Sequence, residues 1–259
     1  EDDATRDRLP LPAPKGYLKA DTLIAQPDGA KMPVIFNINF EAKPGEALAI
    51  IGPSAAGKSS LIRLLTGIWV PFKGSARLDG ADVSDLVRDD AGRFMGYVPQ
   101  EIHFFDGSIA DNIARLGEVD AEKVVKAAQL AGVHETILSF PEGYESSMGE
   151  GGQVLTGGQR QRVAIARALY GDPVYVVMDE PNANLDDAAE RELVALIKQL
   201  KADGKLVVFS THRPLLMGAA DRVLLLKSGQ QVALGPLNEI LESHKADTAA
   251  AQQPPKPEE

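Results

Sequence analysis

Cysteine is absent from the 259 residues, which excludes disulfides and thiolate metal sites and fits a reducing compartment. Histidine is scarce. His103, His134, His212 and His244 are scattered and show no metal-ligand spacing. No run of about 18 apolar residues occurs, so no segment here is expected to span a bilayer as a helix. The best candidate, 61–72, is too short and carries Arg63. The first residues are acidic instead of basic and then apolar, so no signal peptide is expected. Basic charge is short as well. The formal net charge of −10 argues against a nucleic-acid-binding surface, because phosphate backbones reward basic patches. What is present is core-forming material: hydrophobic residues make up 44% of the chain, enough for one sizeable domain or two small ones.

The chain opens with a charged stretch punctuated by Pro10, Pro12 and Pro14. Alternating prolines favour an extended, stiff conformation, so 1–17 reads as a linker. The stretch 244–259 is polar and proline-rich and is expected to be disordered. Between them lies one folded unit without internal repeats. Continuous apolar runs at 47–51, 174–178, 206–209 and 223–226 suit strands covered on both faces, as in a parallel α/β sheet. Helical patterns fall at 158–170, 187–201 and 214–219. The stretch 108–139 is predicted to be wholly helical, with Ser108 or Asp120 as N-cap.

Gly52, Pro53, Ser54, Ala55, Ala56, Gly57, Lys58 and Ser59 match G-x-x-x-x-G-K-S/T, with Ser60 following. The match sits after a buried strand and before a helix. There, main-chain N–H groups and the helix N-terminus cradle phosphates. Lys58 is predicted to reach the β- and γ-phosphates of ATP, and Ser59 to offer its hydroxyl to Mg2+. A near-match to a hydrolase nucleophile elbow in the same loop lacks the Asp and His of a triad. Asp179 and Glu180 close the run 174–178. A carboxylate at the carboxyl end of a neighbouring parallel strand is where such enzymes hold Mg2+. Asp179 is the predicted metal-side acid, and Glu180 is placed to polarise the attacking water.

Leu155, Thr156, Gly157, Gly158 and Gln159 closely resemble the Leu-Ser-Gly-Gly-Gln signature of the ABC ATPase family, with Thr156 keeping the hydroxyl. Other family elements follow in order. Gln100 resembles the Q-loop glutamine, 181–186 the D-loop ending at Asp186, and His212 the switch histidine. The resemblance covers 18–243. It implies a P-loop (RecA-like) α/β parallel-sheet core, an antiparallel β subdomain and a helical signature subdomain over about 101–165. It implies a head-to-tail homodimer in which Thr156, Gly157, Gly158 and Gln159 of one copy act on ATP held by the other. Lys58, Gln100, Glu180 and His212 are then the catalytic set, with Ser59, Gln100 and Asp179 on the metal side. The family usually stacks adenine on an aromatic at the end of the first strand. Here that position falls near Ala25 or Gln26, with no aromatic, so base selectivity is expected to be weak.

Segment 148–152 resembles the exporter pattern Val-Gly-Glu-x-Gly, and 105–113 resembles Phe-x-Gly-S/T-Ile-x-x-Asn-Ile. Ile102, Phe104 and Phe105 would then form part of a docking surface for a missing transmembrane domain. The proline linker and the loops at 181–186 and 211–214 resemble the ATPase/permease of type I secretion systems. That branch implies protein cargo, a membrane-fusion protein, an outer-membrane channel and the cytoplasmic face of the inner membrane. A stand-alone importer ATPase and a non-transport clamp remain as alternatives. The roughly 100 residues between Lys58 and Leu155 hold no long heptads, which leaves no coiled-coil arm for a clamp.

Overall fold

The computed structural model describes residues 14–27, 29–89 and 91–240. Most of the 1–17 linker and the whole 244–259 tail therefore lie outside the described residues. In chain order the elements are β1 (Leu18–Ala25), β2 (Ile35–Ala42), β3 (Ala47–Ile51), α1 (Lys58–Leu65), β4 (Lys73–Leu78) and β5 (Ala81–Asp82). Then come α2 (Val83–Asp89), α3 (Ala91–Phe94), β6 (Met95–Val98), α4 (Ile109–Ile113), α5 (Ala121–Leu130) and α6 (His134–Leu138). The last are α7 (Gly157–Leu169), β7 (Tyr175–Met178), α8 (Asp187–Ala202), β8 (Leu206–Ser210), α9 (Pro214–Met217), β9 (Arg222–Lys227) and β10 (Gln230–Gly235).

The strand order is β5-β4-β1-β2-β10-β9-β3-β8-β7-β6. Strands β9, β3, β8, β7 and β6 run parallel. Strands β5, β4, β1 and β2 pair antiparallel. All five residues of β3 are buried, and so are all those of β7 and β8, which is why these strands read as unbroken apolar runs. The strand period of two sends alternate side chains to opposite faces. Ala47, Ala49 and Ile51 of β3 join a cluster with α4, α5, α7 and α8, whereas Leu48 and Ile50 join α1, β1 and β2. The sheet thus separates two cores, with the helical insertion on one and the antiparallel strands on the other.

Three expectations are corrected. First, β7 is not the neighbour of β3, because β8 lies between them. This inserts the end of β8, and with it Ser210 to His212, between the phosphate loop and Asp179. Second, 108–139 is not one helical run. Ser108 caps α4 and Asp120 caps α5, so both predicted caps are used, by separate helices. The chain breaks where Arg115 and Leu116 take left-handed φ of 60° and 59°. Arg115 is turned back onto the end of α7, where its guanidinium donates to the carbonyls of Arg167, Ala168 and Tyr170 at 2.9, 2.9 and 3.1 Å. A second break follows at Gly132, with φ of 66°. Third, Phe104 is not at a docking surface. It is buried between the guanidinium groups of Arg160 and Arg167, at 5.7 and 5.1 Å from its ring centre, while Phe105 stays exposed.

Candidate active site

The buried strand β3 ends at Ile51, and the chain turns at once into α1 through 52–57. Gly52 and Gly57 are needed for that turn. A Cβ on Gly52 would lie 2.3 Å from the Leu226 carbonyl oxygen, and Gly57 holds a φ of 102°, where a Cβ would also lie 3.3 Å from the Val34 carbonyl oxygen. Only bare backbone lets the loop lie this close to β9 and β2. Ala55 shares the left-handed region at φ 61°. Among the described residues, no protein acceptor meets the N–H groups of Ser54, Ala55 or Gly57, and α1 has no side-chain cap. These donors stand unpaired where the positive end of the helix adds to them, which is the donor chemistry a polyphosphate requires.

Residues 52–60 line an open cleft of about 680 Å³ together with Val34, Gln100, Glu180 and His212. Lys58 is mostly buried and its ammonium donates to the carbonyls of Gly52 and Pro53 at 3.0 and 3.2 Å. It also lies 3.9 Å from Glu180 Oε1, which in turn is 3.7 Å from His212 Nδ1. Ser59 Oγ donates to Gln100 Oε1 at 3.4 Å. The P-loop, Gln100, Glu180 and His212, scattered over 160 residues of sequence, thus meet in one place.

Asp179 sits just beneath, almost wholly buried at 2% exposure. Its Oδ1 accepts from Ser210 Oγ at 2.6 Å. Beside it, burial first and the Asp179 charge second push the Tyr97 hydroxyl up to about 12. Glu180 holds a left-handed φ of 48°, a strained state for a side chain of its size. Its N–H donates to Ser210 Oγ at 2.8 Å, and its carbonyl accepts from Ala183 N–H at 3.0 Å. Among the described residues no group of three or more His, Asp or Glu is arranged to hold a metal ion. Mg2+ takes one or two protein ligands and finds the rest in phosphate oxygens and water. Ser59, Gln100 and Asp179 fit that limited donor set.

The remaining predicted residues are elsewhere. Thr156 caps α7: its N–H donates to Gln159 Oε1 at 2.9 Å and its hydroxyl accepts from Gln159 N–H at 3.4 Å. Gly157 and Gly158 follow it, close against Asn184, and none of these residues lines the cleft. Asp186 is the N-cap of α8 and accepts from Ala189 N–H at 2.8 Å. No aromatic stands at the end of β1. Gln26 donates to the Ala30 carbonyl at 2.8 Å, and Trp69 borders a separate hollow of about 390 Å³ with Ala25, Gln26 and Pro27. Sequence reasoning missed Val34, which lines the cleft, and the hydroxyls of Ser210 and Thr211. The available signal was two hydroxyl residues closing an otherwise apolar strand.

The family model described as ABC transporter matches residues 35–183, more than half of the chain. The type I secretion system ATP-binding protein PrsD of Rhizobium meliloti (strain 1021) is 44% identical over 234 residues, covering 90% of this chain and 40% of that protein. The ATP-dependent lipid A-core flippase of Xanthomonas campestris pv. campestris is 36% identical over 242 residues, covering 93% of this chain and 41% of the flippase. Human ATP-binding cassette sub-family B member 6 is 38% identical over 229 residues, covering 87% and 27%. Among solved structures, a bacterial Atm1-family ABC exporter with ATP bound superposes with a TM-score of 0.83 at 28% identity, covering 100% of this chain and 45% of that one. The chain thus spans less than half the length of each of these proteins. On sequence and on fold together, this chain belongs to the ABC transporter family and is an ATP-hydrolysing ATPase domain of that family.

Proposed function

We propose that this domain drives an exporter of the type I secretion kind, which moves protein cargo across a Gram-negative envelope in one step. Its support is the identity to PrsD over nine-tenths of the chain, with the proline linker and the loops at 181–186 and 211–214. The rest of such a protein supplies the transmembrane domain. The domain then works at the cytoplasmic face of the inner membrane, with a membrane-fusion protein and an outer-membrane channel as partners. Exposed Phe105 and part-buried Ile102 offer apolar surface to the membrane domain.

The observation that carries the mechanism is the separation of the signature from the phosphate cleft. A single copy holds the P-loop, Gln100, Glu180 and His212 together, yet Thr156, Gly157, Gly158 and Gln159 lie outside. Two copies arranged head to tail complete the site, the signature of one closing on the nucleotide of the other. Ser59, Gln100 and Asp179 would hold Mg2+, which would supply neutralisation of phosphate charge. Lys58 leaves the Gly52 and Pro53 carbonyls for the β- and γ-phosphates. Glu180 orients a water for in-line attack on the γ-phosphorus, breaking its bond to the bridging oxygen, and His212 holds the γ-phosphate in place. Closure is favoured because the γ-phosphate makes contacts that exist only in the closed pair. With no aromatic for adenine, ATP and GTP are expected to bind within about tenfold of each other, a gap of about 1.4 kcal/mol or less.

The test pairs a binding and a secretion assay. Lys58→Ala is expected to weaken ATP binding itself, and an unchanged titration would contradict the phosphate-cradle reading. Cells carrying Glu180→Gln in the full-length protein are expected to retain their exported protease, lipase or RTX-type protein inside. Undiminished export would remove the secretion assignment.

A further inference from the structure

Ser210 is the last residue of β8 and is fully buried, with β3 on one side and β7 on the other. Its hydroxyl has two partners, both on the turn that leaves β7. It accepts the N–H of Glu180 at 2.8 Å and donates to Asp179 Oδ1 at 2.6 Å. The direction is fixed by chemistry. The amide can only donate, so the single hydroxyl proton goes to the carboxylate. One oxygen of Asp179 is thereby committed, and Oδ2 has no hydrogen-bond partner among the described residues. The N–H bond falls on the residue with the strained left-handed φ of 48°. Such a conformation persists only where its surroundings over-determine it. Thr211, also fully buried, continues the pattern by donating to Asn182 Oδ1 at 3.1 Å. The next residue is His212. The end of β8 is thus tied by hydroxyls to the acid pair and to the loop beyond it.

We propose that Ser210 is a positioning residue that sets the metal-side acid and the water-side acid together, aiming Asp179 Oδ2 and fixing the backbone of Glu180. This rests on the reading of Asp179 and Glu180 given above. Ser210 does not line the phosphate cleft. It acts through its two neighbours, as outer-shell partners of metal ligands do.

The experiment measures ATP affinity of the whole chain by titration in EDTA and again in Mg2+, for the parent, Ser210→Ala, Ser210→Thr and Asp179→Asn, with kcat alongside. Affinity in EDTA is expected to stay within about twofold in Ser210→Ala, while the gain from Mg2+ and kcat each fall about tenfold or more. Ser210→Thr keeps the hydroxyl and is expected to restore both. Ser210→Ala with the parent's Mg2+ gain and kcat would overturn the proposal, even if its melting temperature dropped. Should Ser210→Ala not fold, Ser210→Cys is read by the same criteria, its thiol being a weak donor of similar shape. Asp179→Asn separates the two levels. If it keeps the full Mg2+ gain, the assignment of Asp179 fails. If it loses the gain while Ser210→Ala does not, only the role of Ser210 fails.

Discussion

At the residue scale, charge is placed where burial demands a partner. Lys205 is 9% exposed, and its ammonium donates to Asp172 Oδ1 at 2.7 Å and to the Pro173 carbonyl at 2.9 Å. The Lys205 hydrogen bond holds the Asp172 carboxyl below the usual carboxylate range. A depressed acid contributes stability above its ordinary pKa, near 4, and that contribution is lost as pH falls through the lower, folded value. Asp172 is more than half exposed, so solvent screening limits the effect. Asp172→Asn is expected to cost about 1 kcal/mol at neutral pH. Urea unfolding at pH 7 and again below pH 3 checks this: the gap between parent and variant should close at the acid end. Glu180 is the contrasting case. Its strain lies in the backbone, so Glu180→Gln should leave folding stability nearly unchanged while stopping hydrolysis, which a melting curve and a phosphate-release assay test together.

At the element scale, α7 is held at both ends. Thr156 and Gln159 close its N-terminus with a reciprocal pair of hydrogen bonds, and Arg115 occupies its C-terminal carbonyls from a distant part of the chain. Burial lowers the Arg115 pKa, which marks a cation that the local carbonyl oxygens must stabilise. Arg115→Ala is expected to destabilise the domain by about 1–3 kcal/mol. At this size that corresponds to a melting-temperature drop of about 2–4 °C per kcal/mol, which calorimetry reads directly. The break after α4 could not be read locally, because residues 114–120 carry no proline and only one glycine. What breaks the helix there is a tertiary demand, the cap on α7. Phe104 shows the same limit: an aromatic beside an exposed one reads as surface until two arginines of α7 are seen to bracket it.

At the scale of the whole molecule, strand identity was legible because burial on both faces leaves an unmixed apolar run, and the P-loop because its chemistry is local. Strand order was not. That β8 lies between β3 and β7 depends on crossovers that no local pattern encodes, and it is this order that brings His212 and Ser210 to the acids. The meeting of Gln100, Glu180 and His212 around residues 52–60 followed from motif order, whereas Val34 gave no signal beyond an ordinary strand-entry residue. The signature residues pose the larger question, since they do not line the cleft their own chain provides. If a membrane domain joins two copies as proposed, the domain alone is expected to be monomeric and slow, because the joined copies meet at a higher local concentration. The most direct measurement is sedimentation of Glu180→Gln with and without Mg·ATP, with the nucleotide content of each species determined. A shift from monomer to a dimer carrying two ATP per pair is the predicted result. A chain that binds ATP with Mg2+ at saturating concentration yet stays monomeric would contradict the composite site.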